Sequence, residues 1–253
     1  MQRTHNTILI TGGGSGIGRG LAEAFHAAGN QVIIAGRRQA ALADTLAANP
    51  GMRAAELDVA DAQDVARFGR QIVKDFPALN VVIHNAGIMR AESVLDGTLD
   101  VAEATIATNL LGPIRLNAAL LPHLQAQAQA TVMLVSSGLA FVPMAATATY
   151  CATKAAIHSY AQSLRYQLKD TAIEVLELVP PYVQTELMGA RQATDPFAMP
   201  LADFLEEALA ILHSPDRGDE ICVKRVGPQR TAEASGAYAT FYRSFNDAMA
   251  ARH

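Results

Sequence analysis

The chain has 253 residues, half of them hydrophobic and 17% charged, which suits one sizeable core and excludes a disordered chain. A net charge of −4 from 20 basic and 24 acidic residues offers no basic field to nucleic acid. The two cysteines, Cys151 and Cys222, have neither disulfide-framework nor metal-ligand spacing, no apolar run approaches a membrane span, and Met1–Asn6 does not read as a signal peptide; the expected location is the cytoplasm and no metal is expected.

Short apolar runs alternate with segments of helical period, the pattern of a parallel sheet covered on both faces. A strand at Thr7–Thr11 runs into Thr11-Gly-Gly-Gly-Ser-Gly-Ile-Gly18, followed by a helix over Ile17–Ala28. Glycines between a strand and a helix permit a tight turn and let backbone N–H groups approach a pyrophosphate. Gly12, Ser15, Gly16, Ile17 and Gly18 are therefore candidate nucleotide ligands, although a glycine pattern alone would equally suit a simple turn.

The second strand, Gln31–Ala35, ends in Gly36-Arg37-Arg38 and leads into a helix over Arg38–Ala48. An NAD enzyme usually carries Asp or Glu there for the ribose diol, whereas paired arginines suit a 2′-phosphate. Arg37, helped by Arg38, points to NADP(H). The rival reading, a solvated basic helix start, is disfavoured because a helix N-terminus prefers anions.

Strand three spans Arg53–Leu57, a helix Ala62–Phe76, and strand four Asn80–His84. Strand four ends in His84-Asn-Ala-Gly87, where small residues allow a close approach and Asn85 can bond neighbouring loops. His84 reads as structural. The next helical run, Val101–Gln127, contains Gly112-Pro113, which predicts a kink just after Asn109.

Strand five, Thr131–Ser136, precedes Ser137, and a helix over Thr149–Lys169 carries Tyr150 and Lys154. Tyrosine and lysine four apart share one helical face. An adjacent ammonium is expected to lower the phenol from its ordinary pKa of about 10, so that it can exchange a proton with an alcohol. Ser137 adds a hydroxyl aimed at the same substrate oxygen. In isolation these would be a surface pair and a strand cap; their order and spacing behind a nucleotide loop point to redox chemistry.

Strand six, Ala172–Val179, is followed by Glu186–Ser214, read as a mobile substrate loop or lid plus a short helix. A last strand is expected at Glu220–Lys224. The tail, residues 231–253, carries Phe241 and Phe245 four apart and reads as a helix docking on its own subunit or a neighbour. One α/β domain with a doubly wound, Rossmann-like parallel sheet of about seven strands is the expected fold, since no linker divides the chain.

Over residues 7–225 the chain resembles the short-chain dehydrogenases/reductases, through Thr11–Gly18, Leu57-Asp58-Val59, Asn85-Ala-Gly87, Asn109, Ser137, Tyr150, Lys154 and Pro180…Thr185. The runs Tyr150–Tyr160 and Leu178–Thr185 further resemble the DltE-like oxidoreductases. The resemblance implies that Asp58 and Val59 hold adenine, with Asn85, Ala86 and Gly87 beside it. Tyr150 and Lys154 would bind the nicotinamide ribose, Val183 and Thr185 the carboxamide, and Asn109 would complete a proton relay through Lys154. Two departures stand out: Pro180-Pro181 replaces the usual Pro-Gly, and the ending favours a homodimer, through the helices holding Asn109 and Tyr150, over a tetramer.

The expected activity is hydride transfer between NADP(H) and a neutral ketone, aldehyde or secondary alcohol, in a pocket formed by Leu139, Phe141, Ala145, Tyr182, Leu187 and Met188. A 3-oxoacyl-carrier-protein reductase is a second enzymatic reading, with Arg191 a thin basis for carrier docking. An NADP-binding regulator with vestigial chemistry is a third, opposed by the intact Ser137, Tyr150 and Lys154.

Overall fold

Alternate residues of the apolar runs pack on opposite sides of a single sheet. In the first strand, β1 (Thr7–Thr11), Ile8 and Ile10 enter one core while Leu9 enters the other, as the two-residue strand period requires. The computed structural model describes residues 1–251, so the last two residues of the expected tail lie outside it.

In chain order the elements are β1, α1 (Gly16–Ala27), β2 (Gln31–Gly36), α2 (Gln39–Ala48), β3 (Arg53–Glu56), α3 (Ala62–Asp75), β4 (Leu79–His84), α4 (Asp100–Ile106) and α5 (Gly112–Gln125). There follow β5 (Ala130–Val135), α6 (Ala148–Gln167), β6 (Ile173–Val179), α7 (Ala190–Ala193), α8 (Leu201–Leu212), β7 (Glu220–Cys222), α9 (Gly227–Arg230) and α10 (Tyr238–Ala250). The seven strands are all parallel, in the order β3-β2-β1-β4-β5-β6-β7. Chain direction across the sheet reverses between β1 and β4, and the crevice beyond their carboxyl ends is where such sheets bind ligands.

Helices α1, α2 and α8 cover one face with Phe25, Leu42 and Phe204, while α3, α5 and α6 cover the other with Phe68, Leu116 and Ile157. Asp61 caps α3, accepting the N–H groups of Gln63 and Asp64 at 2.7 and 3.1 Å, which sets the helix start where the sequence placed it. Among the described residues no helix is long and apolar enough to cross a membrane.

Three expectations change. The expected single helix over 101–127 is two α-helices joined by a π-helical turn at Ala107–Leu111. Pro113 lacks the N–H that would bond the Asn109 carbonyl, and the wider turn absorbs that break. The segment 186–214 contains less loop than expected, because α8 is a full core helix with Phe204 completely buried. Strand β7 stops at Cys222, and Lys224–Val226 form a 3-10 turn that continues into α9.

Candidate active site

The carboxyl ends of β1, β2, β4, β5 and β6 open into one cleft of about 430 Å³. Its floor at one end is the glycine loop. Gly12 has φ +69°, and a Cβ there would lie 2.9 Å from the Ala86 Cα. At Gly18 a Cβ would meet the Asn85 side chain at 2.3 Å. A side chain at either position would push β1 and β4 apart. Asn85 is the clip between them: its amide donates to the Thr11 and Gly12 carbonyls at 3.0 and 3.3 Å. The bonding to neighbouring loops expected of Asn85 is thus present.

Gly12, Ser15, Gly16, Ile17, Arg37, Arg38, Val59, Asn85, Ala86, Gly87, Val183 and Thr185 all stand on the cleft wall. Gly18 lies behind it, as the close contact with Asn85 requires. Asp58 lies in an adjoining surface groove that Arg37 shares with the cleft, 3.5 Å from the Arg37 guanidinium, and accepts the Ala60 N–H at 3.0 Å. Arg38 reaches across the loop and donates to Ser15 Oγ at 2.6 Å.

At the far end, Ser137, Tyr150 and Lys154 meet on the same wall. Ser137 lies two residues beyond β5 in extended backbone, and its Oγ accepts the Leu139 N–H at 3.1 Å. Tyr150 and Lys154 occupy successive turns at the start of α6. That start is capped by Glu92, whose carboxylate takes the Thr149 N–H and hydroxyl. Lys154 Nζ donates to the Val135 carbonyl at 2.7 Å and lies 5.5 Å from the Tyr150 ring centroid.

The expected lowering of the Tyr150 pKa by Lys154 is not found. Burial pushes the phenol up, opposed by a hydrogen bond with Ser137. Burial also depresses Lys154 to about 8, opposed by the charge of Glu177. Both groups are deep enough that desolvation dominates. His84 is structural, as expected: buried, with Nε2 2.7 Å from Asn117 Oδ1, and depressed to about 4 by burial.

Asn109 sits behind this end. Its amide donates to the Ile88 carbonyl at 2.9 Å and its Oδ1 accepts the Ile88 N–H at 2.9 Å. A Cβ on Gly87 would lie 3.3 Å from Asn109 Oδ1 and 3.8 Å from Lys154 Nζ, so a small residue is needed between them.

Of the six pocket candidates, only Leu187 reaches the cleft wall. Leu139 and Met188 pack just beside it, against Met89, Met144, Tyr150 and Cys151. The Ala145 N–H is taken by Asn246 Oδ1 at 2.7 Å, and the Tyr182 hydroxyl donates to Asp195 at 3.1 Å. Phe141 turns away, wedged between His158 and Arg230 with ring-centroid and guanidinium distances of 4.8 Å each. The expectation that this apolar side chain lines the pocket is not met, because the 3-10 turn Gly138–Ala140 redirects it.

Several site residues were missed. Met89, Met144, Phe245 and Met249 complete the apolar cluster at Tyr150. The i, i+4 spacing of Phe245 and Met249 could have revealed the last two. Gln192, buried, organises the loop after β6: it donates to the Val183 carbonyl and Thr185 Oγ1 at 2.8 and 3.1 Å and accepts the Met188 N–H at 2.9 Å.

A family model described as short chain dehydrogenase matches residues 6–196. The uncharacterized oxidoreductase DltE of Bacillus subtilis (strain 168) is 44% identical over 189 residues, covering 74% of this chain and 75% of that protein. A short chain dehydrogenase from Burkholderia cenocepacia in complex with NADP superposes with a TM-score of 0.82 at 24% identity, covering 96% of this chain and 98% of that one. The 3-ketoacyl-(acyl-carrier-protein) reductase of Brucella melitensis complexed with NADH superposes at 0.78 with 23% identity, over 89% of this chain and all of that one.

Proposed function

The chain belongs to the short-chain dehydrogenase family, on its DltE-like branch, and from that premise we propose that this oxidoreductase moves a hydride between NADP(H) and a neutral, apolar ketone, aldehyde or secondary alcohol. One observation carries the reading: Ser137, Tyr150 and Lys154 line one end of a cleft whose other end is the glycine loop.

The residues present fit a dinucleotide. Gly12 and Gly18 hold two strand ends at a separation that no side chain could share. The first turn of α1 carries no acidic residue and Ser15 makes no cap bond to it, which suits a pyrophosphate at that N-terminus. Arg37 and Arg38 on the wall, with Gly36 where an acid would serve NAD, favour a 2′-phosphate. The NADP of the Burkholderia neighbour agrees with this choice; the NADH of the Brucella neighbour shows that the fold alone does not make it.

The cofactor supplies the hydride, and the chain supplies position and protons. In reduction, Ser137 holds the carbonyl oxygen and Tyr150 donates its phenolic proton to the developing alkoxide. A raised pKa keeps Tyr150 protonated until that moment, and an alkoxide is basic enough to take the proton. Lys154, at about 8, is poised to pass a proton back toward the phenolate, with Asn109 on the relay. The apolar cluster of Met89, Met144, Met188 and Met249 beside Tyr150, which reaches the cleft through Met89, suits a flexible apolar substrate. The part of 186–214 that precedes α8 closes over it as a lid, and a homodimer through the helical segments holding Asn109 and Tyr150 completes the proposal.

The test is NADPH consumption with a panel of ketones, aldehydes and one 3-oxoacyl thioester. Turnover of small apolar ketones is expected. Activity confined to the thioester would select the carrier-protein reductase, and NADPH binding with no turnover would select a regulator.

A further inference from the structure

Glu177 is the one fully buried acidic residue among the described residues, and the steps above leave it without a role. It lies on β6, in register with Leu134 of β5 and Glu220 of β7. A carboxylate taken out of water persists only with partners, and each of its oxygens has one. Oε1 accepts the Ser136 hydroxyl, and Oε2 lies 2.8 Å from His158 Nδ1. The Gln162 amide nitrogen, a donor, faces His158 Nε2 at 3.2 Å, so Nδ1 carries the proton given to Glu177.

Both partners adjoin the active site. Ser136 precedes Ser137 and follows Val135, whose carbonyl receives the Lys154 ammonium. His158 lies one turn beyond Lys154 on α6. The other charges near Glu177 are engaged elsewhere. Glu220 is held by Arg230 through bonds of 2.6 and 3.0 Å, and Arg165 faces Asp219 at 3.1 Å. The field of Glu177 reaches Lys154, Cys222 and Arg230, favouring the cationic forms of the lysine and arginine and opposing a thiolate.

We propose that Glu177 is a positioning residue of the active site: its buried carboxylate is the fixed counter-charge that keeps Lys154 an ammonium, and through Ser136 it braces the strand end that presents Ser137. A cationic Lys154 in so dry a place needs a compensating charge that water cannot screen and a substrate cannot displace. Glu177 meets both conditions, since it sits behind the cleft wall and is no part of it. The proposal rests on the oxidoreductase reading for its consequence in catalysis, but its electrostatic content stands apart from turnover.

The experiment is a titration of lysine ε-carbons by NMR in protein labelled with ε-¹³C lysine. The chain has four lysines, and Lys154→Arg assigns the resonance. The wild-type midpoint is expected at about 8. Glu177→Gln keeps the shape and removes the charge; it should lower the midpoint by about one pH unit, and the alkaline limb of kcat/KM with it. A purely structural Glu177 would lower Tm and leave the midpoint in place, and a folded Glu177→Gln with an unmoved midpoint overturns the proposal. If that variant does not fold, Glu177→Asp retains the charge but withdraws it by one methylene. A smaller fall in the midpoint is then expected, and no fall overturns the proposal. Absence of carbonyl turnover in the wild type would defeat the oxidoreductase reading and leave the titration result intact.

Discussion

Asn246 Oδ1 accepts the Ala145 N–H at 2.7 Å, a bond between residues 101 positions apart that ties α10 to the segment leading into the Tyr150 helix. The same side chain donates to the Pro143 carbonyl at 3.1 Å. The two bonds set the rotation of α10, so that Phe245 and Met249 face Met89, Met144 and Tyr150. The carboxyl-terminal helix therefore packs against the apolar cluster beside Tyr150, next to the proposed substrate site. Phe245→Ala is expected to raise KM for an apolar ketone about tenfold, the effect of losing one sizeable apolar contact. The Kd for NADPH, measured by fluorescence, should stay at the wild-type value; an equal loss in both would mean that α10 supports the fold and not substrate binding.

Tyr150→Phe keeps the buried ring and removes the transferable proton. We expect kcat to fall about 10²–10⁴-fold at saturating substrate, with NADPH binding retained. In the wild type, Lys154 is charged below its pKa of about 8 and neutral above it. The reduction rate should accordingly hold from neutral pH to about 8 and decline beyond. A pH profile of kcat/KM that rises through this region would contradict the assignment of Lys154 as a cation during turnover.

Arg37 is exposed and shares its charge with Asp58, so its removal should leave stability nearly unchanged. Its loss should be felt in cofactor choice. A charge-assisted hydrogen bond contributes about 1.5–3 kcal/mol, which corresponds to roughly a ten- to hundredfold fall in kcat/KM for NADPH in Arg37→Ala. NADH efficiency should be little affected. A variant that still prefers NADPH as strongly as the wild type would transfer the role to Arg38.

His84 is neutral in the fold, with its pKa depressed from 6.5 to about 4. Above pH 6.5 the folded and unfolded chains bind equal protons there, and its contribution to stability is constant. As pH falls from 6.5 to about 4, the unfolded chain takes up a proton that the folded chain refuses, so stability declines by about 3 kcal/mol. In His84→Gln, chemical denaturation at pH 7 and pH 4.5 should show a smaller acid loss than wild type. An unchanged acid slope would show that other groups carry it.

Much of the site was legible in the chain because local geometry carries it. Tyr150 and Lys154 are four apart on one helix, and Gly12, Gly16 and Gly18 follow a strand and open a helix. Ser137 was less local, since it reaches Tyr150 only because β5 ends beside α6. The substrate side was read least well. Apolar character suggested Phe141, whereas the 3-10 turn sends that ring away from the cleft, against His158 and Arg230. Met89, Gln192 and Phe245 arrive from three distant segments with no shared motif.

By itself the sequence determined the seven strands, the alternation of helices between them, the glycine loop between β1 and α1, and the grouping of Ser137, Tyr150 and Lys154. Each follows from periodicities of two or 3.6 residues, or from residue types at short fixed spacing, and these are properties of the chain within about one turn or one strand. Only the tertiary structure decided how charge behaves at the site and what encloses it. Burial raised Tyr150 where a neighbouring ammonium alone would have lowered it, and Glu177 became a charge without solvent only when β6 was covered by α6. Desolvation and enclosure depend on everything that packs around a group, and no short window of sequence contains that information.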